Sequence, residues 1–276
     1  MKRFFKSVGL TTMFIFVFVL TLVIVGVLDA FAFHSLPGDG RFMLSYFCSM
    51  IAIYGITIFI ERKAFKQVLP VYNSKAGFDP IALLAGVVLI IAISVVLLPL
   101  EQVLSPDSRT FANGPCTLLT VVLIAPIFEE MIFRARLFNI LSRNTSPLMS
   151  ASLSAAAFGA VHMEPIVVVE ALVVGVVLSY FYLSKRSIFA PIVLHIFNNA
   201  VAYALVVLSY RGESLRAIVG GGKMEFVVYA VALLIVLVGA VVIVRFFIKE
   251  KGRMRGVECQ DVETLADHHS AAQLPE

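Results

Sequence analysis

The stretch TLLTVVLIAPIFEEMIFRARLF, residues 117–138, decides the fold class. It is apolar and long enough to cross a bilayer, yet Glu129, Glu130 and Arg134 stand inside it. A hydrocarbon core of about 30 Å takes about 20 apolar residues in helical form. A charged side chain at its centre costs upward of about 2.5 kcal/mol, so such residues face a bundle interior and mark function. The run extends over 117–141 and has companions at 9–32, 42–60, 81–100, 146–164, 165–183, 187–209 and 225–248. The expected fold is all-α: a polytopic membrane protein of about eight transmembrane helices.

Composition agrees. The chain has 276 residues, 60% of them apolar and only 14% charged, with a mean hydropathy of +0.96. The first apolar run is too long for a simple cleaved signal peptide, and further runs follow it. The net charge of +4 is not a nucleic-acid signal. Lys and Arg collect at 2–6, 62–75, 143, 185–186 and 249–255, in alternate connections between runs. By the positive-inside rule these segments are cytosolic, and eight spans place both termini there. Cys48, Cys116 and Cys259 lie far apart and say little about redox compartment.

The chain divides into 1–80, two N-terminal spans and a Lys-, Pro- and Gly-containing cytosolic loop; 81–210, a core with motifs between 129 and 199; 211–250, the last span; and 251–276, a polar tail expected to be disordered. The first two spans show no convincing site. The basic loops at 61–80 and 184–186 read as solvated topogenic charge rather than a substrate cradle.

The polar residues of the core fall at helical spacings. Glu130 and Arg134 are four apart and therefore neighbours on one face. Glu129 points about 100° away, free to enter a cavity. One carboxylate is thus held by arginine while the other is available for acid–base work. Phe158 and His162 are four apart among Ser152, Ala155, Ala156, Ala157 and Gly159, small residues that admit a close neighbouring helix. His195 and Asn199 are four apart in the seventh run. Taken singly, each pair is also consistent with packing or interhelical hydrogen bonding. As drawn, His162 lies near the end of its run away from His195, so the groups meet only if the fifth helix starts deep, tilts or continues past Pro165.

EExxxR, FxxxH and HxxxN, in that order on three helices, resemble the CAAX-protease and bacteriocin-processing family of intramembrane endopeptidases. Here they read Glu129-Glu130-Met131-Ile132-Phe133-Arg134, Phe158-Gly159-Ala160-Val161-His162 and His195-Ile196-Phe197-Asn198-Asn199. The resemblance covers about residues 115–205. It implies a helical bundle whose polar cavity opens toward the cytosol. It also implies a peptide or protein substrate near the bilayer, lipidated or not, and a bacterial cell-membrane location. By position, Glu129 with His162 would activate water, His195 and Asn199 would donate to the oxyanion, and Glu130, Arg134 and Phe158 would support them.

The same residues leave other readings open. A non-catalytic membrane protein, such as a bacteriocin immunity partner or a transporter, would use the polar cavity for binding. Glu129, His162 and His195 also make up a three-ligand set for zinc. HExxH is missing, and with Glu129 as a ligand only Glu130 beside Arg134 would remain as base, so a reaction with no obligatory metal is favoured. Glu170 departs from the family pattern. It either extends the cavity or is protonated and hydrogen-bonded to a neighbour.

Overall fold

Pro80, Pro115, Pro147 and Pro165 each open a helix. Proline suits the first helical position, where its missing N–H would have no partner within the helix anyway. The computed structural model describes residues 2–32, 36–104, 114–162, 164–207 and 219–271. Its helices are α1 (Lys2–Ala32), α2 (Gly38–Phe65), α3 (Pro80–Leu104), α4 (Pro115–Ser142), α5 (Pro147–Ala160), α6 (Pro165–Lys185), α7 (Phe189–Val207) and α8 (Lys223–Ala271). Among the described residues no strand forms, and a single antiparallel bridge joins Asn73 and Ser187. The all-α expectation is met.

Six of these helices are long and apolar enough to cross a membrane, whereas α5 and α7 carry shorter apolar stretches. The expected eight spans are therefore six long helices and two short ones. The fifth run does not form the full helix expected over 146–164. With 14 residues, α5 reaches only about 21 Å. It ends at Ala160, and the chain turns through His162 before restarting at Pro165. α2 runs past its expected end at residue 60, to Phe65, and Glu61 is fully buried rather than part of a cytosolic loop. α8 continues as helix to Ala271, beyond residue 251 where composition suggests a tail. The connections 105–113 and 208–218, which hold Arg109, Arg211 and Arg216, lie outside the described residues.

α4 is the axis of the bundle. Residues 132–141 are buried all round, as expected of a helix with neighbours on every side. Ile132, Phe133, Leu137 and Leu141 pack with Phe14, Phe18, Met50, Ile53 and Phe158. Ala135 and Phe138 pack on the opposite side with residues of α3, α5, α6 and α8. At the periphery, only 11% of the most apolar window of α8 is buried, which leaves an apolar surface suited to lipid.

Small residues bring α5 against α6, as their spacing predicts. A methyl group on Gly175 would lie 2.9 Å from Ala155 Cβ and 3.2 Å from the Arg134 guanidinium. Even alanine would therefore press on the arginine of the EExxxR motif.

The connection after α2 is a strap bound to the core. Ile188 donates its N–H to Tyr72 O at 2.8 Å, and Ser74 donates to Arg186 O at 2.8 Å. Lys185 pairs with Asp79 at 2.8 Å. That hydrogen bond, with backbone N–H donors from the start of α3, holds the Asp79 carboxyl below its ordinary range.

Candidate active site

α4 is not a regular α-helix where it meets the site. Two π-helical segments, Thr120–Ile124 and Phe133–Phe138, flank the Glu129–Glu130 pair. π-bulges frequently accompany functional sites. In the first segment Ala125 donates to Thr120 O, five residues back. The next carbonyl, Val121, would look in the same way to residue 126, a proline without an N–H. Asn199 of α7 fills that vacancy, donating from Nδ2 to Val121 O at 2.9 Å. The Nδ2 group has a second N–H. In the second segment, Ser154 of α5 donates to Phe133 O at 2.8 Å.

The two glutamates are treated differently, as their helical angles predict. Glu130 has no exposed surface, and its Oε1 accepts from Arg134 at 2.9 Å and from His195 Nδ1 at 2.8 Å. Arg134 also donates to Gly175 O at 3.2 Å and lies 4.6 Å from the centre of the Phe158 ring. Among the described residues Glu130 Oε2 has no partner. Glu129 keeps 12% of its side chain exposed, and its Oε2 lies 3.6 Å from His195 Nε2. Its Oε1 accepts from the Tyr46 hydroxyl at 2.7 Å. His195 thus stands between the two carboxylates. With Nδ1–H committed to Glu130, the chemistry of this ring is carried by Nε2.

His162 belongs to the same neighbourhood through Phe158. The Phe158 ring meets His162 at 4.8 Å and His195 at 5.6 Å between centroids, both edge-on. His162 Nδ1 donates to Phe158 O at 2.6 Å, which leaves the Nε2 lone pair available. The early end of α5 makes this meeting feasible, because His162 sits in the turn after the short helix. Among the described residues no hydrogen bond joins Glu129 to His162 directly.

The structure therefore groups Glu129, Glu130, Arg134, Phe158, His162 and His195, with Asn199 one helical turn from His195 on α7. Glu170 faces α3, where Ser94 Oγ lies 3.5 Å from its Oε1. Among the described residues no group of three or more His, Cys, Asp or Glu is spaced to hold a metal ion.

Two features escape the sequence reading. Tyr46 comes from α2, a helix that shows no site by composition. Arg136 forms a second buried ion pair on α4, at 3.0 Å from Glu61. α2 meets α4 in polar contacts near both ends as well as at Tyr46. Asp39 accepts from Cys116 N at 2.9 Å and Thr117 N at 2.5 Å, while Glu61 holds Arg136 further along.

No curated protein and no solved structure matches the chain. Residues 111–201, which carry α4, α5, α6 and most of α7 and all three motifs, match the family model described as type II CAAX prenyl endopeptidase Rce1-like, the family to which the motifs point.

Proposed function

We propose that this integral membrane protein is an endopeptidase of the CAAX type, hydrolysing a peptide bond with water activated by Glu129. The observation that carries the reading is the asymmetry of the carboxylates. Glu130 is sealed and bound to Arg134 and His195, whereas Glu129 retains exposure and lies beside the same histidine. A base must reach water, and Glu129 is the carboxylate with that access.

Glu129 takes a proton from water as the oxygen attacks the scissile carbonyl carbon. The His162 Nε2 lone pair accepts the water's other hydrogen and aligns it. The carbonyl oxygen becomes an oxyanion, met by the second N–H of Asn199 and by Nε2–H of His195. In that role Nε2 donates to the oxyanion while Nδ1 donates to the Glu130 carboxylate. Collapse breaks the C–N bond, and the proton on Glu129 passes to the leaving amine. No step requires a metal ion. The substrate class follows the matched family: a membrane-associated peptide tail, with the prenyl chain held in the bilayer.

The test uses purified protein in liposomes with a farnesylated CAAX-tailed peptide and its unprenylated counterpart. Cleavage of the farnesylated peptide is expected. Glu129→Gln should lower turnover by about 10³-fold or more, within the span of a lost base, at unchanged abundance. A Glu129→Gln protein that cleaves like wild type, or flux of a solute without peptide cleavage, overturns the reading. Metal analysis of active protein purified without metal resin decides the cofactor. About one zinc per chain, lost and restored together with activity, would replace the water-activation scheme.

A further inference from the structure

We infer that Tyr46 of α2 is a positioning residue for Glu129, so that a helix outside the matched segment completes the active site. The inference rests on the peptidase reading. The Tyr46 hydroxyl donates to Glu129 Oε1 at 2.7 Å. The other oxygen, Oε2, is the one that lies 3.6 Å from His195 Nε2. Holding one oxygen fixes the carboxylate plane and reserves the other for proton transfer. A carboxylate with 12% exposure and no arginine on its own face otherwise retains rotamer freedom.

The phenol is itself held in place. Its ring packs on Phe42 at 6.2 Å between centroids, and the adjacent Phe47 meets Phe128, next to Glu129, edge-on at 5.5 Å. The register of α2 on α4 is fixed on either side of Tyr46, by Asp39 on the start of α4 and by Glu61 on Arg136. Neither flanking contact reaches the motif residues. Among the described residues the Tyr46 hydroxyl is the polar contact from α2 to the motif carboxylates, and a misplacement of about 1 Å is enough to slow a reaction about 10²-fold.

Tyr46→Phe keeps the ring and removes the donor. Turnover of the farnesylated peptide should fall about tenfold or more, as expected for losing a hydrogen bond to a charged group, with KM within about twofold of wild type. An infrared difference spectrum between wild type and Glu129→Gln isolates the Glu129 carboxylate stretch without any substrate. Tyr46→Phe should shift that band. Asp79→Asn, at a pair with Lys185 that involves neither α2 nor the motif residues, should leave both band and kcat in place. An unmoved band overturns the contact. A shifted band with wild-type kcat overturns the positioning role. Should Glu129→Gln cleave normally, the peptidase reading falls and takes the role with it. An inactive Glu129→Gln beside a fully active Tyr46→Phe removes Tyr46 alone.

Discussion

Arg134 and Arg136, two residues apart on α4, are both buried and both paired with a glutamate, yet the pairs differ in closure. Around Arg136 every carboxylate oxygen is used. Glu61 Oε2 accepts from Arg136 at 3.0 Å, Glu61 Oε1 accepts from Leu69 N at 2.8 Å, and Arg136 also donates to Leu69 O at 2.8 Å. The result is a knot tying α2, its following strap and α4, with both carboxylate oxygens engaged. Around Arg134 the carboxylate is shared with an imidazole on one oxygen and, among the described residues, left without a partner on the other. A buried ion pair costs desolvation in either case. The first directs that cost to architecture; the second keeps unused capacity next to the ring proposed to meet the oxyanion.

Double substitution breaks the comparison most forcefully. Arg134→Met and Arg136→Met alone should each destabilise by about 3–5 kcal/mol, since each strands a buried carboxylate. Adding Glu61→Gln to Arg136→Met should restore thermal stability and keep peptide cleavage within about tenfold of wild type, the cost of a weakened Tyr46 contact. Adding Glu130→Gln to Arg134→Met should restore stability without restoring cleavage, because His195 then lacks a carboxylate at Nδ1. Equal activity of the two double variants would erase the distinction.

Asn199→Ala sharpens it from the α7 side. Loss of one oxyanion donor should lower kcat by about 10²–10³, with KM unchanged because the interaction is made in the transition state. A change confined to KM would make Asn199 a binding residue.

The smallest effect belongs to the exposed counterpart of these pairs, Asp79 with Lys185. The lowered carboxyl of folded Asp79 contributes stability that is present at neutral pH and is lost as pH falls below about 4. Asp79→Asn retains the helix cap. The melting-temperature gap between this variant and wild type should be small at neutral pH and shrink on acidification. A gap that widens in acid would contradict the sign.

Much of this arrangement is legible in the sequence, but unevenly. The Glu130–Arg134 bond follows from a spacing of four on one helix, and the close approach of α5 follows from its small residues. The three motifs point to the family that residues 111–201 match. What escapes is pairing between distant segments. Tyr46 reads as an ordinary aromatic in an apolar run, and its partner is 83 residues away. Glu61, beside Arg62 and Lys63, reads as solvated charge because nothing local tells that α2 continues for another turn. The end of α5 is hidden for a different reason. Its Ala-, Ser- and Gly-rich stretch holds few large apolar residues, so no periodicity marks where the helix stops.

Pro126 touches none of the reacting groups, but it decides when the cost of order is met. An asparagine amide free to rotate would have to be frozen afresh in every catalytic cycle. By withholding one N–H, the proline gives the Asn199 amide a standing engagement with Val121 O. Its orientational entropy is then surrendered once, as the chain folds, rather than at each turnover.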